Sequence, residues 1–282
     1  MAYIFVGGSQ RSGTSLLAAS LCAGEETNMY MGESAGFRSL MQTYAQMVQR
    51  FDDETVFHFG SRQALDDYYA AMVRMYLSHT LTAHKPASSL VLKEPHLTLQ
   101  FPHLHRLLPE ARFVMIKRDP RDVVVSMLKV GEKLAKQGTK HLYNSGDIAK
   151  MAESVSHFYR PTLAAMQKNA AFRKRVYWVD YQELVTNPEP VMDSLRKFTG
   201  LKLELFDPAD PTKRTLPEKV ESRKSSKRAQ PWNSDLMKNK GISDASVRAF
   251  EGKLDQEQVA TIEKTVGGLI KKFGYDLVSD QA

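Results

Sequence analysis

The chain has 282 residues, 42% of them hydrophobic and 25% charged, with a formal net charge of +7. This is an ordinary globular balance with length enough for a sizeable core, and we read it as one domain over 1–282. With no apolar run of about 18 residues no membrane span is expected, and the single cysteine, Cys22, excludes an internal disulfide and a cysteine-based metal site.

In chain order, Tyr3 to Val6 is a short apolar run that predicts a buried strand over 3–7. It follows Met1-Ala2 without the charged-then-apolar pattern of a leader, so a cytoplasmic protein is expected. Helices are predicted over 14–23, 36–50 and 61–84, then strands over 89–93 and 112–117. Helices over 121–136 and 147–170, a strand over 175–180 and helices over 189–199 and 255–273 complete the pattern. Strands alternating with helices predict an α/β fold, a P-loop-like parallel sheet flanked by helices. Ligands of such sheets sit outside the carboxyl ends of the strands. The inserts 24–60 and 129–147 interrupt the pattern and are natural places for acceptor-binding loops.

Two strand ends carry chemistry. After the first strand comes a Gly-rich loop, Gly7 to Gly13, and then a helix from Thr14. Such a loop offers backbone N–H groups to an anion, and the helix N-terminus adds partial positive charge. The spacing Gly8-x4-Gly13 resembles a P-loop, but Thr14-Ser15 stands where an ATP or GTP enzyme carries Lys-Ser/Thr. The cation is inside the loop instead, at Arg11, which suits a single phosphate better than a triphosphate with metal. The second strand end is Phe113 to Ile116, followed by the turn Arg118-Asp119-Pro120-Arg121 and a helix. Arg118 and Ser126 can face one anion from the strand end and the helix. Two anion sites at strand ends imply a ligand with two separated phosphates.

These segments resemble the sulfotransferase superfamily, which uses 3′-phosphoadenosine 5′-phosphosulfate (PAPS). Gln10-Arg11-Ser12-Gly13-Thr14-Ser15 is similar to that family's 5′-phosphosulfate loop. Arg118-Asp119-Pro120-Arg121-Asp122 followed by Ser126 is similar to its 3′-phosphate motif, and Val179-Asp180-Tyr181 through Pro188 to a third element. Within the superfamily the chain looks nearest to tyrosylprotein sulfotransferases and related bacterial enzymes, on the strength of Lys93-Glu94-Pro95 and Gly32-Glu33. The resemblance implies a sulfotransferase fold and transfer of a sulfuryl group from PAPS to a hydroxyl or amine, releasing 3′,5′-ADP.

The implied donor contacts are Gln10, Arg11, Ser12, Gly13, Thr14, Ser15, Arg118 and Ser126, with Tyr181 either contacting the donor or anchoring the sheet edge. Arg11 and Lys93 place positive charge where the leaving phosphate gains negative charge, which is what catalysis of a loose transfer requires. The acceptor proton needs a base. Glu33 stands there by resemblance, His96 is the competing choice, and the adjacent Glu25-Glu26 is the pair a shifted alignment would select. His103 and His105 read as structural, and Arg121 as pointing to solvent beyond Pro120. The basic stretch Lys213 to Arg228 reads as a solvated loop or as a flap over the donor, with Arg223 and Lys224 as candidate contacts; Trp232 packs such a flap or fills the core.

No metal-ligand cluster is legible, and the implied chemistry requires no metal. The net positive charge fits an anionic donor; with no nucleic-acid module in the sequence, nucleic acid is not expected as a partner. The acceptor stays open among a peptide tyrosine, a glycan and a small molecule, and the alternative activity is that of a P-loop kinase or NTPase.

Overall fold

The computed structural model describes residues 2–217, 230–232 and 241–280. In chain order the strands are β1 (Tyr3–Gly7), β2 (Leu90–Lys93), β3 (Arg112–Lys117) and β4 (Val176–Asp180). The helices are α1 (Thr14–Leu21), α2 (Ala35–Gln49), α3 (Val56–Phe59), α4 (Arg62–Ala83), α5 (Phe101–Leu107), α6 (Pro120–Lys136), α7 (Ile148–Lys168), α8 (Ala170–Arg173), α9 (Tyr181–Thr186), α10 (Pro188–Thr199) and α11 (Gln256–Phe273). The elements predicted from periodicity fall where expected. α5 is the helix expected to carry His103 and His105 before Pro109; helical structure over 51–59 and 95–100, and α9, are additional, in pieces too short for a 3.6-residue period to show.

All four strands are parallel, in the order β2-β1-β3-β4. The chain leaves β1 for β2 on one side and then returns to place β3 on the other. The switch point between β1 and β3 leaves a crevice at the carboxyl ends of the strands. Alternation along each strand divides the core in two. Phe5, Leu90, Leu92, Phe113, Met115 and Val176 face the layer that includes α2, α4, α5, α6, α7 and α11. Ile4, Val6, Val91, Val114, Ile116 and Val179 face α1, α9 and α10. Near-continuous burial of β1, β2 and β3 is the signature of a parallel sheet covered on both faces, while the edge strand β4 is only partly buried. Cys22 lies fully buried behind α1, and burial pushes its thiol up to about 12, so it packs as a small apolar group.

The 129–147 insert is partly the end of α6 and partly a turn over Leu142–Asn144 that folds back on it. Gly131 allows this return. A Cβ there would lie 1.9 Å from the Tyr143 carbonyl oxygen, so only glycine fits without moving the backbone. Gly131→Ala is expected to destabilise the fold by about 1–3 kcal/mol through overpacking. The check is a melting temperature several degrees below that of the wild type.

Candidate functional site

Parallel register lines up the groups that follow each strand. Val6 pairs with Lys93, Gly7 with Met115, and Lys117 with Asp180. Lys93, the loop after Gly7, Arg118 and Tyr181 therefore stand side by side along one edge of the sheet.

The loop is held from below by side chains distant in sequence. Gly8 N–H donates to Thr98 Oγ1 (3.0 Å), and Ser9 N–H donates to the Tyr159 hydroxyl (3.1 Å). Tyr159 in turn donates to the Ile116 carbonyl (2.9 Å), joining the ends of β1 and β3 through one phenol. Ser12 Oγ closes the turn by donating to Ser9 O at 2.7 Å. Gly13 takes φ 104°, and a Cβ there would meet the Tyr181 ring at 2.5 Å, so glycine is required by both backbone and neighbour. It opens α1 without a side-chain cap, and no acidic residue lies in the helix's first turn. Among the described residues no side chain caps the N-terminal N–H groups of α1, as an anion cradle requires. Thr14 and Ser15 form the first turn of this helix.

Arg11 has φ 67°, a strained left-handed conformation for a residue with a side chain. It projects across the crevice, its Nε donating to Ser126 Oγ (3.2 Å) and one terminal nitrogen to the Trp232 carbonyl (3.2 Å). Gln10 accepts from the Tyr143 hydroxyl at 2.5 Å, and the Tyr143 and His141 rings pack edge-on against Trp232. Trp232 thus closes one side of the loop and also joins the edge of the core.

Arg118 is 6% exposed and lies 4.3 Å over the Tyr181 ring. Its terminal nitrogens donate to the Arg11 carbonyl (3.2 Å) and the Ser246 carbonyl (2.7 Å). Its Nε is buried without a partner among the described residues, a donor still to be satisfied. Tyr181 also hydrogen-bonds Ser246 through its hydroxyl (2.8 Å), so at the end of β4 it packs against both the arginine and the loop at Ser246.

Arg121 departs from expectation. It is buried rather than solvent-facing, paired with Asp119 (2.7 Å) and Glu263 (2.7 Å), donating to the Asp276 carbonyl and lying over Phe250. Pro120 starts α6 instead of merely turning the chain, and the first helical turn swings Arg121 inward. Asp122 likewise accepts from the Arg248 and Phe250 N–H groups, and burial holds its carboxyl above the ordinary value. Together these bonds bolt the C-terminal part of the chain to the turn that carries Arg118.

On the other side of the loop, Lys93 is 4% exposed and its ammonium donates to Glu33 Oε1 at 2.9 Å, with the two backbones bridging in parallel. His96 lies one short turn on, its Nδ1 3.3 Å from Glu94 Oε1 and its ring against Phe158. The structure thus brings Glu33, not Glu25 or Glu26, to Lys93; Glu26 instead accepts from the Lys202 N–H. His105 is buried against Phe113 and Phe172, and His103 meets Tyr44 edge-on; burial pushes both imidazoles down, as structural residues. In the basic stretch, Arg214 turns away from the crevice and binds the carbonyls of Cys22, Gly24 and Thr27. Arg223 and Lys224 lie outside the described residues.

Sequence reasoning missed Thr98, Tyr159, Ser246 and Glu263. Each reaches the site by a tertiary contact from the middle of a helix or loop, with no local motif to mark it. Among the described residues no helix is long and apolar enough to cross a membrane, and no group of three or more His, Cys, Asp or Glu gathers to hold a metal ion.

Residues 3–205 match the model of a family described as the sulfotransferase family. The chain is 28% identical over 208 residues to protein-tyrosine sulfotransferase 2 of Gallus gallus, covering 71% of this chain and 52% of that protein. It is 26% identical over 202 residues to protein-tyrosine sulfotransferase 1 of Danio rerio, covering 71% and 54%. The chain thus spans about half the length of these curated relatives. In fold it is similar to the sulfotransferase domain from the curacin biosynthetic pathway (TM-score 0.56, 15% identity, 98% of each chain). It is similar also to the sulfotransferase domain of the Synechococcus PCC 7002 olefin synthase (TM-score 0.55, 16% identity, 98% and 96%).

Glu263 yields a prediction. Burial raises its carboxyl, but the N–H groups of Val278 and Ser279 and the Arg121 guanidinium outweigh burial and hold it below the ordinary value. A depressed folded pKa contributes stability above the ordinary carboxylate range, and this is lost as pH falls through the folded value. Glu263→Gln should cost about 3–5 kcal/mol at neutral pH, as for a broken buried pair. Its deficit should narrow on acidification below about pH 5. Calorimetric melting of both proteins across that range is the check.

Proposed function

The chain belongs to the sulfotransferase family, and from that premise we propose that it transfers a sulfuryl group from PAPS to an acceptor hydroxyl, releasing 3′,5′-ADP. The observation that carries the reading is the pair of cationic strand ends at one switch point: the uncapped α1 N-terminus with Arg11, and the buried Arg118 with an orphan donor. Two such sites suit a ligand with two separated phosphates. A P-loop kinase or NTPase is not favoured, because Thr14 stands where its phosphate-binding lysine is needed.

The residues present fit the donor. The Gln10–Ser15 loop would hold its 5′ side, and Arg118 with Ser126 its 3′-phosphate. When bound, PAPS supplies an activated sulfuryl group on a phosphate leaving group. Lys93, buried at the end of β2 and paired in register with Val6 of the strand that leads into the loop, would place positive charge where it stabilises a departing phosphate oxygen. Arg11 adds a second cation at the loop. Glu33 is the base in this reading: its carboxylate is beside Lys93 and its side chain is 46% exposed. His96 serves acceptor positioning. The protein-tyrosine sulfotransferase relatives make a peptide tyrosine the first acceptor to test. A labelled-donor screen with tyrosyl peptides, phenols and glycans distinguishes the classes; no transfer to any hydroxyl overturns the reading.

Two outcomes are expected. Arg118→Ala should weaken 3′,5′-ADP binding by roughly 1.5–3 kcal/mol, the worth of a charge-assisted hydrogen bond, yet leave adenosine 5′-phosphate nearly unaffected. Calorimetry with the two nucleotides decides it, and equal losses remove Arg118 from the 3′-phosphate. Glu33→Gln should retain donor binding and melting temperature while turnover falls about 10²–10⁴-fold. His96→Asn should cost less; a nearly active Glu33→Gln beside a folded, inactive His96→Asn would transfer the base role to His96.

A further inference from the structure

We propose that Arg38 and Glu94 form a clamp that positions Glu33 against Lys93, a role that rests on the reading of Glu33 as base. Two short segments meet at this point: 32–38, which opens α2, and 93–97, which leaves β2. They are tied by backbone first, Ser34 N–H donating to the Lys93 carbonyl at 3.1 Å. Consecutive residues of β2 and its exit then make two ion pairs with the same partner segment. Lys93 reaches Glu33 (2.9 Å), and Glu94 reaches Arg38 (3.1 Å). Arg38 sits one helical turn after Ser34, its N–H donating to the Ser34 carbonyl at 3.0 Å, so it moves with the segment that carries Glu33.

The two pairs differ in what they can hold. The Glu33 side chain is 46% exposed, and an ion pair with one partner in water is worth little and fixes little. The Glu94 side chain is 1% exposed. A carboxylate so buried must keep its partners, because leaving it unpaired is strongly unfavourable. Its second oxygen accepts from the Leu97 N–H at 2.8 Å, which caps the turn over Pro95–Gln100 and fixes the carboxylate's orientation. The oxygen that meets Arg38 also faces His96 Nδ1 (3.3 Å), so one buried atom registers α2, the exit of β2 and the site imidazole. The buried pair therefore sets the distance between the segments, and the exposed pair inherits it. A displacement of about 1 Å at a reacting group is enough to cost on the order of a hundredfold in rate.

The clamp makes contact with neither phosphate site, so its loss should appear in turnover and not in nucleotide affinity. Arg38→Gln is expected to lower kcat ten- to a hundredfold, with the Kd for 3′,5′-ADP within about twofold of wild type. Arg38→Lys, which keeps the charge, should recover most of the loss. Turnover is read as 3′,5′-ADP released from PAPS with a tyrosyl peptide or 4-nitrophenol as acceptor. The decisive comparison is made in a Glu33→Gln background. If Arg38 acts through Glu33, adding Arg38→Gln there should change kcat less than about twofold. A loss that multiplies, an equal loss in 3′,5′-ADP affinity, or native turnover beside a lowered melting temperature overturns the clamp. Glu94→Gln, which keeps the bond to Leu97 N–H, is the second variant should Arg38→Gln fold poorly, and the same outcomes apply. Undiminished turnover in Glu33→Gln alone would instead overturn the base assignment, so the two failures are told apart.

Discussion

Four parallel strands ending at one level are the constraint on which the rest of this molecule depends. Parallel hydrogen bonding fixes register, and register decides which post-strand residues become neighbours. Lys93, Gly8, Arg118 and Tyr181 lie far apart in sequence yet follow directly on paired strands. A shift of one residue in any pair would turn its core side chains to the wrong face, so the burial of both faces holds the carboxyl edge of the sheet in place. The Tyr159 hydroxyl reinforces the same alignment, binding the loop after β1 and the end of β3 at once.

Around that edge the cations are held in different ways. Lys93 is paired with Glu33, Arg11 donates to Ser126 and to a backbone carbonyl, and Arg118 donates to two carbonyls and lies over an aromatic face. Carbonyl dipoles orient the Arg118 guanidinium toward the crevice. The arginine that is neutralised by carboxylates, Arg121, is the one withdrawn into the structure. The motif Arg118-Asp119-Pro120-Arg121 thus divides its labour: one arginine for the site and one for the frame.

The frame extends beyond the residues matched by the family model. Asp122 and Arg121 bind the chain at 248–250, 263 and 276, and Ser246 touches both Arg118 and Tyr181. The C-terminal part is therefore tied to the turn that carries Arg118. On the opposite flank, α2 and the exit of β2 are joined by charges on adjacent residues, one pair half in water and the other buried.

How much of this was legible from the sequence follows from the range of each interaction. The strands, the long helices and the Gly-rich loop are local: apolar periodicity and the stereochemistry of Gly13 fix them, and short-range motifs put Lys93 and Arg118 at strand ends, Arg11 in the loop and Ser126 on the helix after β3. Resemblance singled out Glu33 and Lys93 separately, but their pairing was not readable, because 60 residues separate them. The inward turn of Arg121 was not readable, since its partner Glu263 lies 142 residues away on a helix whose surface pattern is unremarkable. Sequence determined which side chains could carry charge to the ends of strands. Only the tertiary structure decided which of those charges were buried and paired, because that depends on desolvation and on partners brought together by packing.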